Sequence, residues 1–187
     1  MAKALGAWFT GRDGIGRAIA LGTVVYYDEI LRYKRINMAI KVGDKAPDFT
    51  LQSQAGASVS LSDFLGQKSI VLYFYPKDDT PGCTAESCAF RDSYQVFQEA
   101  GAEVIGISGD SVGSHQTFAT KYSLPFTLLS DAGDAVRKLY GVPAVMWVLP
   151  GRVTYVIDKD GTVRHIFDSM LEFDKHVSEA MTIVKGL

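Results

Sequence analysis

Cysteine is nearly absent: Cys83 and Cys88 are the only two thiols in 187 residues. Two are too few for the disulfide framework of a small secreted scaffold. A pair five positions apart in a reducing compartment reads instead as catalytic or redox-sensing. An excess of either charge is missing as well. The net charge of −2 gives no basic field for a nucleic-acid partner, and none is expected. Histidine is confined to His115, His165 and His176, scattered without ligand spacing, so neither a metal nor another cofactor is expected. Long apolar runs are also lacking. The longest, Ala18 to Tyr27, is about half the ~20 residues a spanning helix needs, and Arg17, Asp28 and Glu29 bound it. No membrane span is expected.

The first 37 residues stand apart in charge. They carry six Lys or Arg and three acids, a balance of +3 against −5 for the remainder. No Ala-x-Ala-like cleavage chemistry follows the apolar stretch, and the segment has no Ser and three acids, unlike an organelle transit peptide. We read residues 1–37 as an N-terminal extension (leader, targeting segment or artefact) and 38–187 as one domain. The compartment is then the cytoplasm, or the chloroplast if the extension is a targeting segment.

What is present is an alternation of strand and helix signals in a chain of ordinary composition, 47% hydrophobic and 21% charged, long enough for one substantial core. Asp48 to Leu51 and Val59 to Leu61 flank a small-residue turn and read as an N-terminal β-hairpin, followed by a capped helical turn at Ser62 to Leu65. Ser69 to Tyr75 and Glu103 to Ser108 are apolar enough for central strands. Thr84 to Ala100 reads as a helix with a stripe of Cys88, Phe90, Tyr94, Val96 and Phe97. Helices are expected over Val112–Tyr122, Asp134–Tyr140 and Phe173–Val184, and a short strand over Phe126–Leu129. A second hairpin closes across Lys159-Asp160-Gly161. The fold class is α/β: a central mixed sheet flanked by helices, in the element order of a thioredoxin-like fold.

The chemistry concentrates at Tyr75-Pro76-Lys77-Asp78-Asp79-Thr80-Pro81-Gly82-Cys83, where a strand turns into a helix. A thiol has an ordinary pKa of ~8.5, and a helix N-terminus favours the thiolate through unpaired N–H groups and partial positive charge. Pro81 and Gly82 make the turn, and Thr80 can bring a hydroxyl near the sulfur. Cys88 is the candidate second thiol. Residues five apart in a helix are rotated by about 140° and separated by ~7.5 Å along the axis, whereas a disulfide needs Cα atoms within ~4.4–6.8 Å. Bonding Cys83 to Cys88 therefore requires the first turns to unwind. Glu86 reads equally as a first-turn dipole partner or an active-site contact. Arg152, read alone at the start of a strand, is a surface residue. Trp147 reads as loop packing or as a lining of the substrate entrance.

The pattern Pro76-x-x-x-Thr80-x-x-Cys83 resembles the active-site signature of the peroxiredoxins. Thr80-Pro81-Gly82-Cys83-Thr84-x-Glu86-x-Cys88-x-Phe90-Arg91-Asp92 is similar to the peroxiredoxin Q group, also called bacterioferritin comigratory proteins. So are Lys41 to Phe49 and Leu149 to Asp158. The resemblance runs from about Lys41 to Leu187. It implies a thioredoxin-dependent peroxidase of hydrogen peroxide and organic hydroperoxides, with Cys83 peroxidatic, Cys88 resolving through an intramolecular disulfide, Pro76 shielding the sulfur, Thr80 orienting thiolate and peroxide, and Arg152 stabilising charge. Gly82 and Glu86 would contact substrate. Thioredoxin or glutaredoxin would be the reductant, and the protein a monomer. The alternative is a redox-sensing interaction protein that uses the same disulfide switch.

Overall fold

A computed structural model describes residues 40–145 and 149–187. The extension over 1–37 and Trp147 lie outside the described residues. The strands are β1 (Thr50–Ser53), β2 (Ser58–Ser60), β3 (Ser69–Phe74), β4 (Ala102–Ser108), β5 (Thr127–Ser130), β6 (Ala144–Val145), β7 (Leu149–Pro150), β8 (Val153–Ile157) and β9 (Val163–Asp168). The helices are α1 (Pro81–Glu99), α2 (Val112–Tyr122), α3 (Ala135–Leu139) and α4 (Phe173–Val184).

Seven strands form one mixed sheet in the order β2-β1-β5-β4-β3-β8-β9. The β3–β4 and β4–β5 pairs are parallel; the others are antiparallel. Because successive strand residues point to opposite faces, β3 divides its side chains between two cores. Val71, Tyr73 and Tyr75 pack with Phe90 and Phe97 of α1, Phe118 of α2 and Val177, Ala180 and Val184 of α4. Ile70, Leu72 and Phe74 face the other way, toward Val136 and Tyr140 around α3 and toward Phe49 and Leu61. All six β3 residues are buried, as the apolar run demands, and each large side chain among them contributes roughly 1.5–3 kcal/mol.

The expected mixed-sheet α/β architecture, both hairpins and the helices over Val112–Tyr122 and Phe173–Val184 are observed. At the second hairpin Gly161 takes φ +79°, a conformation that favours glycine. Three readings change. The capped turn is a 3₁₀ turn over Leu61–Asp63, held where the Ser60 N–H donates to Asp63 Oδ2 at 2.8 Å. The helix expected from Thr84 begins at Pro81, with Thr80 as N-cap and Pro81 in the first turn, where a missing N–H costs nothing. Its buried face is Cys83, Glu86, Ser87, Phe90 and Phe97. Val96 is 40% exposed and Cys88 is only partly buried, so the expected stripe was drawn off the helix face that turns inward. Three polar side chains in the first two turns hid that face from a hydropathy pattern. The small β6–β7 pair carried no sequence signal.

Candidate active site

The loop after β3 is fixed before it reaches the thiol. Asp78 is buried and accepts from Tyr75 Oη (2.7 Å), Ser114 Oγ (2.7 Å) and the His115 ring at Nδ1 (2.9 Å). The other His115 nitrogen faces the Leu129 carbonyl at 3.1 Å. Burial pulls the Asp78 carboxyl up, but the bonds from His115, Ser114 and Tyr75 outweigh it and hold the group below the ordinary range. Asp79 adopts φ +56° and accepts from Lys121 Nζ (2.7 Å) and Tyr122 Oη (2.6 Å) at the end of α2. These anchors set the direction in which Thr80 and Pro81 enter α1.

Cys83 occupies the third position of α1 and is 1% exposed. The Thr84 N–H donates to the Thr80 carbonyl at 2.8 Å. The N–H groups of Gly82 and Cys83 precede that bond, at the end of the helix where the backbone carries partial positive charge. Arg152, just ahead of β8, is 2% exposed. Its Nη2 donates to Cys83 Sγ at 3.3 Å and its Nη1 to Glu86 Oε2. One buried guanidinium thus spans the sulfur and a carboxyl one helical turn away. The surface position read for Arg152 from local sequence is wrong. Segments far apart in sequence enclose it, and no local pattern records that.

Glu86 is fully buried and is a contact of the site, not a solvated first-turn carboxylate. Burial pushes its carboxyl up to about 8, with Arg152 pulling the other way. Burial thus favours the protonated carboxyl, which leaves more of the Arg152 charge to the sulfur. Glu86 Oε1 has no hydrogen-bond partner and lies 3.6 Å from His176 Nδ1. The His176 Nε2–H donates to the Ser169 carbonyl (2.8 Å), so Nδ1 accepts from Thr154 Oγ1 (2.7 Å). Burial pulls His176 down to about 4, and the ring is neutral at physiological pH.

The signs of these shifts predict a pH profile. A carboxyl raised in the folded state stabilises the fold below its unfolded value and loses that contribution as pH rises toward 8. The depressed His176 acts oppositely, adding stability as pH rises from about 4 to its ordinary 6.5. The two offset one another through the acid range, and Glu86 alone acts above it. Stability of the reduced protein should fall between pH 6.5 and 8 by up to about 2 kcal/mol. Urea unfolding at the two pH values measures this, and Glu86→Gln should flatten the difference.

Of the other expected site residues, Pro76 is partly buried at the exit of β3. Gly82 packs under Phe173: a Cβ there would fall 2.7 Å from Phe173 Cζ. The Thr80 hydroxyl donates to the Lys77 carbonyl at 3.1 Å and not to the sulfur, leaving its lone pairs free. Cys88 lies farther along α1, and both cysteines are free thiols. Sequence reasoning missed Phe173, whose ring centroid is 4.8 Å from Arg152 Cζ, as well as Thr154, His176 and the Asp78–His115 anchor. The inward spacing of His176, Val177, Ala180 and Val184 in α4 was the one signal that could have placed His176. Among the described residues, no group of His, Cys, Asp and Glu could hold a metal ion. No described helix is long and apolar enough to cross a membrane.

The AhpC/TSA family model matches residues 42–166. Peroxiredoxin Q, chloroplastic, of Oryza sativa subsp. japonica is 55% identical over 149 residues, 79% of this chain and 68% of the relative. Among solved structures, peroxidoxin BcpB from Mycobacterium tuberculosis superposes with a TM-score of 0.74 at 37% identity, covering 79% of this chain and 98% of that one. Xanthomonas campestris peroxiredoxin Q gives a TM-score of 0.69 at 30% identity, over 74% and 90% of the two chains.

Proposed function

The chain belongs to the AhpC/TSA family and to its peroxiredoxin Q group, and from that premise we propose a residue-level mechanism for a thiol peroxidase of thioredoxin-like fold. The observation that carries it is the Arg152 guanidinium 3.3 Å from the buried Cys83 sulfur at the start of α1.

The Cys83 thiolate attacks the terminal oxygen of a hydroperoxide. The O–O bond breaks, the sulfur is oxidised by two electrons to a sulfenic acid, and the other oxygen leaves as water or alcohol by taking up from solvent the proton that the thiol gave up on ionising. Arg152 and the open N–H groups of α1 face both the thiolate and the charge that develops on the oxygens, and such fixed donors are large catalytic terms in a dry site. Pro76 covers the sulfur. Thr80, already donating to Lys77, is left to accept a hydrogen bond from the peroxide. Gly82 and Glu86 shape the site, one under Phe173 and one against Arg152.

Cys88 then attacks the sulfenic sulfur, forming the Cys83–Cys88 disulfide and releasing water. The first turns of α1 must unwind to allow it. Unwinding separates Glu86 from Arg152 and Ser87 from Tyr73, while Phe90, stacked on Tyr73 at 4.7 Å, holds the rest of the helix to the sheet. A dithiol reductant of the thioredoxin type restores both thiols by exchange. The substrates are hydrogen peroxide and small organic hydroperoxides, and the working form is a monomer. The rice relative carries "chloroplastic" in its name, which favours the chloroplast over the cytoplasm for this chain.

Cys88→Ser tests the two-thiol cycle. A single reduction of peroxide by Cys83 should persist at the parent rate, while turnover with thioredoxin, thioredoxin reductase and NADPH should fall at least about tenfold, because the exchange substrate is never formed. Undiminished coupled turnover would remove Cys88 from the mechanism.

A further inference from the structure

Arg137 belongs to α3, which packs on the face of the sheet opposite α1, and it is 5% exposed. Its Nη2 donates to the Tyr75 carbonyl at 2.7 Å and its Nη1 to the Gly151 carbonyl at 2.9 Å. Tyr75 directly precedes Pro76, and Gly151 directly precedes Arg152. The last register pair between β3 and β8 is Phe74 with Val153. Beyond it the register pairing ends, and the Tyr75 and Gly151 carbonyls just past that point both accept from one guanidinium. We propose that Arg137 is a positioning residue of the peroxidase: from behind the sheet it clips together the two backbone segments that carry Pro76 and Arg152, and it adds a second buried positive charge behind the Cys83 sulfur.

The surroundings of Arg137 suit this role and little else. Asp131 accepts from the N–H groups of Ala135, Val136 and Arg137 at 2.9, 3.3 and 2.8 Å, which fixes the start of α3 and so the origin of the side chain. Gly151 is held equally closely. Its N–H donates to the Pro143 carbonyl at 2.8 Å, and a Cβ on it would fall 2.3 Å from that oxygen. The planar fork sets two donors at fixed positions on carbonyls of separate segments, a geometry that a single lysine Nζ does not reproduce. The charge is poorly compensated. Asp134, 45% exposed, lies 3.4 Å from Nε, and Nε makes no hydrogen bond. A guanidinium is costly to bury on such terms, and packing alone would favour an apolar side chain. Burial pulls the Arg137 guanidinium down, while Asp134, Asp131 and the Cys83 sulfur pull it up. The ionisable groups around the sulfur are then Arg152 from just ahead of β8, Glu86 from α1 and Arg137 from α3, with Tyr73 of β3 and Tyr75 just past its end uncharged, their hydroxyls held well above the ordinary range by burial.

The inference rests on the thiol-peroxidase reading, so its test has one arm that uses peroxide and one that does not. In the Cys88→Ser background Cys83 is the only thiol. Single-turnover oxidation by hydrogen peroxide, and alkylation by iodoacetamide at pH 6 and pH 10, are measured with Arg137, Arg137→Gln and Arg137→Lys, folding being checked by circular dichroism. Arg137→Gln should slow oxidation by about 10²-fold, the order that a small misplacement of reacting groups costs. It should also slow alkylation several-fold at pH 6 but not at pH 10, which lies above the ordinary range of a thiol. A purely structural role would move both pH values together. Arg137→Lys should restore the pH 6 to pH 10 ratio and leave oxidation at least tenfold slow. If Arg137→Gln does not fold, Arg137→Lys decides alone by the same tenfold criterion. Folded variants that oxidise within twofold of the Arg137 protein overturn the proposal. If the Arg137 protein itself ignores peroxide, the peroxidase reading fails separately, and the alkylation ratio still reports on Arg137.

Discussion

Cys83→Ser should leave the fold intact and reduce peroxide turnover below about a thousandth of the parent rate, a loss of the order seen when other enzymes are deprived of their nucleophile. A hydroxyl fills nearly the same volume in the core beside Tyr73 and Tyr75, so the reduced protein should melt close to the parent. Serine accepts the hydrogen bond from Arg152, but it offers no thiolate and cannot be oxidised to a sulfenic acid. Consumption of hydrogen peroxide with the thioredoxin system measures the effect. Retained turnover would mean that the chemistry lies elsewhere in the chain.

The second large effect is that of Arg152→Met. Removing this side chain takes away the donor 3.3 Å from the sulfur. Loss of one preorganised donor aimed at developing charge typically costs 10²–10³ in rate, and the same range, about 10² to 10³, is expected for the rate constant of Cys83 with hydrogen peroxide by stopped flow. Breaking a buried ion pair usually destabilises a fold by about 3–5 kcal/mol because one charge is stranded. Here the stranded group is Glu86, whose carboxyl burial already holds at about 8. It can take a proton and stay neutral, so the destabilisation at neutral pH should fall well short of that range. A folded Arg152→Met protein with parental rates would detach the guanidinium from catalysis.

The two effects differ in how far they could be foreseen. Cys83 announced itself through its setting, because a thiol after Thr-Pro-Gly at a strand-to-helix junction is a local pattern. The strands beneath it were equally legible, since β3 and β4 are apolar runs with nowhere to go but a sheet interior. Arg152 was legible only through the family motif: its burial comes from α1, α4 and the end of the sheet closing around it, and these meet only in three dimensions. The face of α1 was misread for a related reason. Cys83, Glu86 and Ser87 are polar yet buried, each with a partner on another element (Arg152 for the first two, Tyr73 for the third). Hydrophobic periodicity therefore pointed to Val96 and Cys88. His176 and His115 were passed over as scattered, because a histidine with both ring nitrogens satisfied leaves no trace in spacing. Arg137 lay in a short helix with a plain surface composition, and its importance appears only where the pairing of β3 with β8 ends.

One experiment bears most directly on the central claim that Cys83 and Cys88 form a two-thiol peroxide-reducing site. Reduced protein is treated with one equivalent of hydrogen peroxide, its intact mass is measured, and the thiols are mapped by peptide analysis. The mechanism predicts rapid loss of two hydrogens and a single Cys83–Cys88 linkage. An oxygen added to Cys83 with Cys88 still free would contradict the intramolecular step, and no rapid change at either thiol would contradict the peroxidase mechanism itself.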